Sequence, residues 1–190
     1  MSNKEKTMGF FSRFSGSQEF KKVLEQSRPR LYRMAYAWTH QGALADDLVQ
    51  ETLAKAWKKG DQLRDMQSQE AWLFSILANC FRDHYRRYRE MDDIDEMDIP
   101  SDVSPESENI QNETVRKVRA AIARLPEGQR QVVTLVDIEG FSYVEVAQIL
   151  AIPSGTVMSR LSRARTALKE MLLTDYQPNR TGQGTIRRVK

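Results

Sequence analysis

The chain has 190 residues, 40% of them apolar and 29% charged, enough for one ordinary domain or two small ones and too apolar for a disordered segment. No apolar run approaches the roughly 18 residues that span a bilayer. The Gly9-Phe10-Phe11 patch after Lys4 and Lys6 lacks the apolar region and cleavage site of a secretory signal. A single cysteine, Cys80, excludes an intramolecular disulfide. The net charge of +3 hides a division: residues 90–113 hold ten of the 26 acidic residues and no Lys or Arg. The other 16 acidic residues face 29 basic ones, a balance of +13 that suits a polyanion-binding protein interrupted by an acidic strap.

Residues 1–17 read as a disordered N-terminal tail, and every periodic segment after them reads as helix. The first helix is expected over 18–39, with Pro29 starting a new stretch or kinking it. In the second, over 43–59, Leu48, Val49, Thr52, Leu53 and Ala56 share one side, and Asp47, Gln50, Glu51 and Lys58 line the other around Ala54. The third, over 69–90, puts Leu73, Leu77, Cys80, Phe81 and His84 on a buried side. Opposite them run Ser75, Asn79, Arg82, Arg86 and Arg89. Three arginines in such a stripe can follow a phosphate backbone, and Asn79 can read a base edge. Trp72 and Phe74 are read as core ahead of base-stacking platforms. Cys80 and His84 stand at i, i+4, but with no further Cys or His nearby they are read as packing, and no metal or cofactor is expected.

Residues 91–112, with Pro100, Pro105, several serines and the acid cluster, read as a flexible linker. It is either a plain solubilising tether or a charge mimic of nucleic acid, carried by Asp92, Asp93, Asp95 and Glu96. Helices follow at about 113–125, 127–138, 143–151 and 154–173. Gly140 suits a helix C-cap, and Ser142 with Glu145 makes an S-x-x-E capping box. The short helix from Tyr143 stops at Ala151-Ile152-Pro153, because proline disfavours helix in the residue before it. Ser154 is expected to cap the next helix. There Val157, Leu161, Ala164 and Leu168 share the buried face, Ser159, Ser162, Arg163 and Thr166 point away, and Arg160 and Arg165 flank them. With the small Ala147 at the crossing, this is the pattern of a DNA-reading helix-turn-helix. Residues 175–190 read as a basic, disordered C-terminal tail. The expected fold class is all-α: two small helical domains, 18–90 and 113–174, joined by an acidic flexible linker, the second containing the helix-turn-helix.

The run Phe141-Ser142-Tyr143-Val144-Glu145-Val146-Ala147-Gln148-Ile149-Leu150-Ala151-Ile152-Pro153-Ser154-Gly155-Thr156-Val157-Met158-Ser159-Arg160-Leu161-Ser162-Arg163-Ala164-Arg165 closely resembles region 4 of extracytoplasmic-function (ECF) sigma factors. Asp46-Asp47-Leu48-Val49-Gln50-Glu51-Thr52 with Trp57, and Ala71-Trp72-Leu73-Phe74 through Asn79 to Arg87, resemble region 2 of the same family. Ala151 stands where the family usually has glycine, and Met158 where it often has a basic residue.

The resemblance implies an alternative sigma factor without catalysis of its own, cytoplasmic, and with no small-molecule substrate. Its partners would be core RNA polymerase, through the largest-subunit clamp helices and the flap region, promoter DNA, and an anti-sigma factor, often membrane-tethered. Carried onto this sequence, Asp46, Asp47, Gln50 and Glu51 become the core-binding residues. Ser75, Asn79, Arg82 and Arg86 engage the −10 element, and the loop Asp65, Met66, Gln67, Ser68 and Gln69 accepts a flipped base. Thr156, Met158, Ser159, Arg160, Ser162 and Arg163 read the −35 element. A helix-turn-helix repressor or activator that never touches polymerase is the alternative; it explains 113–174 but not the two earlier matches.

Overall fold

The computed structural model describes residues 18–63, 68–91 and 113–174. The expected N-terminal tail, acidic linker, C-terminal tail and Asp65, Met66 and Gln67 lie outside the described residues. Seven α-helices are present and no strand occurs among the described residues, in keeping with the all-α expectation. Helices α1 (Gln18–Thr39), α2 (Gly42–Lys58) and α3 (Gln69–Met91) form the first group. Helices α4 (Glu113–Ala123), α5 (Glu127–Val133), α6 (Tyr143–Leu150) and α7 (Ser154–Thr174) form the second.

Pro29 lies inside α1, which runs through it as one helix, so neither a new start nor a break follows. The helix loses one ladder bond there, and the burial of Phe20, Leu24, Leu31, Met34 and Trp38 along its length offsets that loss. The segment expected as a helix over 127–138 changes pitch: α5 gives way to a π turn over Thr134–Ile138, closed by Glu139 N–H donating to Thr134 O at 3.1 Å. Gly140 then takes φ +81°, the left-handed conformation of a helix C-cap.

The two groups share one continuous apolar core. Helix α3 is packed on both sides, by α1 and α2 on one and by α6 on the other. Leu77, Cys80 and Phe81 are buried as the periodicity predicts, and Phe74 is core as read, but Ile76 and Ala78, which the helix-wheel reading leaves off the core face, are buried too. Phe74 is covered by the other half: its ring and that of Phe141 meet edge-on, 5.0 Å between centroids.

Polar contacts cross the same boundary. Trp38 Nε1–H donates to Thr134 Oγ1 at 3.0 Å, with both residues 1% exposed or less. Arg30 Nε–H donates to Glu139 Oε2 at 2.8 Å, where the Glu139 side chain is only 5% exposed, while its Nη1 pairs with Glu70. The same guanidinium lies 5.8 Å from the Phe74 ring centre. Arg130 Nη1 lies 2.8 Å from His40 Nε2 and also donates to Ala123 O at 2.9 Å. An arginine can only donate, so His40 must present an unprotonated Nε2, with its proton on Nδ1. Burial, and then the Arg130 charge, push the His40 pKa down to about 4.

Two consequences are measurable. Above pH 6.5 His40 is neutral whether the halves are packed or apart. Between about 6.5 and 4 the separated or unfolded chain takes up a proton that the packed state refuses, so packing weakens as pH falls through that window. The stability of the wild type minus that of His40→Asn, which tolerates the left-handed φ of 56° found at His40, should fall on the order of 2 kcal/mol from pH 7 to 4 in urea titrations. A flat difference contradicts the assignment. Ala151, exposed and at φ 53°, carries a left-handed strain of about 1–2 kcal/mol that glycine avoids. Glycine's extra backbone entropy offsets part of this. Ala151→Gly should therefore raise stability by about 0.5–1 kcal/mol in thermal melts.

Candidate nucleic-acid interface

The helix-turn-helix is built by local bonds. Ser142 N–H donates to Glu145 Oε2 at 2.8 Å, and Glu145 N–H donates to Ser142 Oγ at 3.3 Å, completing the expected capping box. The carboxylate also accepts from Ser142 Oγ–H at 2.7 Å, and this bond, followed by the one from the backbone N–H, holds the Glu145 carboxyl below its ordinary pKa. Helix α6 ends because Ala151 turns left-handed, with Ile152 N–H donating to Ala147 O at 3.0 Å. Pro153, rather than Ser154, stands at the boundary of α7: its carbonyl accepts from Thr156 N–H at 2.9 Å and Val157 N–H at 3.1 Å. The turn keeps the expected length, with alanine in the left-handed position that would suit glycine.

Val146, Ile149 and Leu150 of α6 and Val157, Leu161 and Ala164 of α7 are buried, with α6 packed on α7 and α3, and α7 packed on α6 and α5. Leu168 is only partly buried. That packing leaves Met158, Ser159, Ser162 and Arg163 exposed and Thr156 half-buried on the outer side of α7. Arg163 Nε–H donates to Ser159 O at 3.2 Å, and Ser159 Oγ–H to Thr156 O at 3.1 Å, so the outer face is held together within one helix. The two flanking arginines are engaged elsewhere. Arg165 makes a two-pronged pair with Asp137, at 3.1 and 2.6 Å, and these bonds raise its pKa. Arg160 folds back onto α5, where a Cβ on Gly128 would stand 2.8 Å from its Nη1.

On α3 the expected stripe is present, with its members differently engaged. Asn79 and Arg86 are exposed, whereas Ser75 is half-buried and donates to Trp72 O at 2.7 Å. Arg82 Nη1–H donates to Asn79 Oδ1 at 3.0 Å, and its Nη2–H reaches across to Leu150 O at 2.9 Å, the end of α6. Arg86 lies 3.3 Å from Asp83. The side chain of Arg89 lies outside the described residues. Of the residues expected in the loop before α3, Ser68 is exposed, while Gln69 is already the first residue of α3 and buried, 8% exposed. Phe74, 2% exposed, packs as core, and Trp72 is half-buried against it. Cys80 is fully buried, His84 sits edge-on to Tyr85, and no cluster among the described residues could hold a metal.

On α2, Asp47 and Gln50 are exposed. Asp46 is half-buried, 3.7 Å from Arg28, and Glu51 pairs with Lys55 at 2.8 Å and Arg87 at 3.9 Å. Lys55 also lies 3.8 Å from Asp83, so α2 and α3 are laced by charges. The Glu51–Lys55 pair is legible from its i, i+4 spacing; the links to Asp83 and Arg87, like that of Asp137 to Arg165, join separate helices and leave no mark in sequence.

The comparisons with known proteins cover both halves. Residues 23–90 match the family Sigma-70 region 2, and residues 116–168 match Sigma-70, region 4. The ECF RNA polymerase sigma factor EcfG of Rhodopseudomonas palustris is 37% identical over 162 residues, covering 85% of this chain and 89% of its own. The ECF RNA polymerase sigma factor SigM of Mycobacterium tuberculosis is 31% identical over 155 residues, 80% of this chain and 76% of its own. The sigma factor RpoE of Bartonella quintana, solved in complex with the anti-sigma factor NepR, superposes with a TM-score of 0.70 at 34% identity, covering 84% of this chain and 99% of that one. With both regions present in order and similarity over most of its length, the chain belongs to the ECF class of the sigma-70 family.

Proposed function

We propose that the chain is an alternative sigma factor in which residues 18–90 hold core RNA polymerase and the melted −10 region, and residues 113–174 place α7 in the major groove of the −35 element. One observation carries this reading. The chain offers a row of Asn79, Arg82 and Arg86 on α3 and a second face of Ser159, Ser162 and Arg163 on α7, each within a stretch that matches its sigma region. A repressor needs only the second face. Asp47 and Gln50 are the exposed α2 groups for polymerase, with Asp46 and Glu51 beside them, and Asp65 to Gln69 supply the base-accepting loop. No described helix is long and apolar enough to cross a membrane, which agrees with action in the cytoplasm.

The resemblance to RpoE, solved with NepR, supports control by an anti-sigma factor. The packed state offers such a regulator something to hold. Arg82 is bonded to Leu150 across the two halves, so the −10 row is fully available only when α3 and α6 part. A partner that favours the packed state withholds the protein from promoters, and core polymerase favours the parted state.

Purified protein added to sigma-free core polymerase should yield promoter-dependent run-off transcripts; DNA binding without core association favours a repressor instead. Reversing charge and bulk with Asp47→Arg and Gln50→Arg should weaken core association at least tenfold in a competition assay, while thermal melts stay within about 0.5 kcal/mol of wild type. Glu139→Gln, which weakens the Arg30 contact between the halves, should raise core association severalfold. Association unchanged or lowered in that variant argues against competition between packing and polymerase.

A further inference from the structure

The outer face of α7 has one member that neither phosphate binding nor hydrogen-bonded base reading explains. Met158 is 56% exposed, although α7 has a complete buried face without it. It borders an open depression of about 360 Å³ shared with Tyr143, Leu161, Ser162, Arg165 and Thr166, at the seam between α6 and α7. Two of the polar side chains of this seam are engaged. Arg165 is held by both oxygens of Asp137, and it also interacts with the Tyr143 hydroxyl. Thr166 Oγ1–H donates to Ser162 O at 3.1 Å. Beside the Ser162 hydroxyl, the seam offers a ligand the Met158 thioether, with the Tyr143 ring, 40% exposed, next to it.

Met158 is the fifth residue of α7, in the N-terminal part from which a recognition helix reaches base edges. A thioether has no donor and is a weak acceptor, so it cannot read guanine, adenine or the cytosine amino group by hydrogen bonding. In the major groove the distinctive apolar base-edge group is the C5-methyl of thymine. A protein partner for the depression is disfavoured by its surroundings, since Ser159, Ser162 and the guanidinium of Arg163 stand exposed on the same helix and suit a polyanion.

We infer that Met158 is a specificity-determining residue of the −35 contact, reading a thymine by its methyl group through the apolar seam between Met158 and Tyr143. This rests on the sigma-factor reading proposed above and adds to it the base edge that α7 selects. One methyl placed in apolar contact is worth about fourfold in affinity.

The test uses the full chain with core polymerase, on a promoter mapped by run-off transcription, and changes one methyl at a time. Each thymine of the −35 element, on either strand, is replaced by uracil, which keeps every hydrogen-bonding group. Each cytosine is separately replaced by 5-methylcytosine. The expected result is one position, or two adjacent ones, where uracil weakens wild-type binding about fourfold. Met158→Ala should abolish that penalty, and Met158→Leu should keep it. Should scrambling the −35 element weaken binding while no methyl change matters, or matters equally in Met158→Ala, the methyl assignment is overturned and the sigma-factor reading stands. A scrambled −35 element that binds as well as the native one overturns both.

Discussion

Helix α3 is buried from two sides, and most of the molecule's behaviour follows from that. Its Phe81 meets Trp38 of α1 edge-on, while Phe74 turns toward Phe141 of the second half. Neither group of helices is large, and a small group buries only part of the surface that its chain exposes. Packing α6 on α3 covers apolar area that each half would otherwise leave to water. It also brings ionised and polar groups out of solvent, Glu139 beside Arg30 and Arg130 beside His40, where they are worth most when paired and cost most when orphaned. Such an interface favours two discrete arrangements, packed or parted, over a continuum between them.

That two-state character gives each partner a thermodynamic role. A ligand moves the balance only by the difference in its affinity for the two states. On the proposed reading, promoter DNA needs the arginine row of α3 and the outer face of α7, and the packed state commits Arg82 of that row to a carbonyl of α6. A regulator needs to recognise only the packed state. The same surface thus serves both outcomes, and stability of the interface sets how strongly either partner must act.

Within each half, the sequence patterns were good guides. The helix boundaries followed from periodicity and punctuation, and the Ser142–Glu145 box and the Gly140 cap follow from residue type and spacing alone. What could not be read was anything requiring two distant segments to meet. Ile76 and Ala78 flank the core face of α3 on opposite sides and are core only because α3 is packed from two directions. Pro29 reads as a break, yet tertiary burial carries α1 through it. The π turn at Thr134 has no local signature; it coincides with the Trp38 hydrogen bond from the other half. For the candidate site, position on a helix face was legible and engagement was not. Arg160, Arg163 and Arg165 look alike in sequence, but the first lies on Gly128, the third is clamped by Asp137, and Arg163 stays on the outer face.

On the proposed reading, this division of arginines lets a single helix both hold its place and read DNA. A guanidinium that braces the fold cannot also donate two bonds to a base, so Arg165 stiffens α7 at the expense of its own availability. Arg82 is the instructive contrast. Its partner in the packed state is a neutral carbonyl at the C-terminal end of α6, where helical carbonyls lack an internal donor. A phosphate offers the same guanidinium an ionised acceptor and a stronger bond. On the sigma-factor reading, the group that fastens the halves together is therefore one that DNA can win away, and parting of α3 from α6 is coupled to promoter capture through a single side chain.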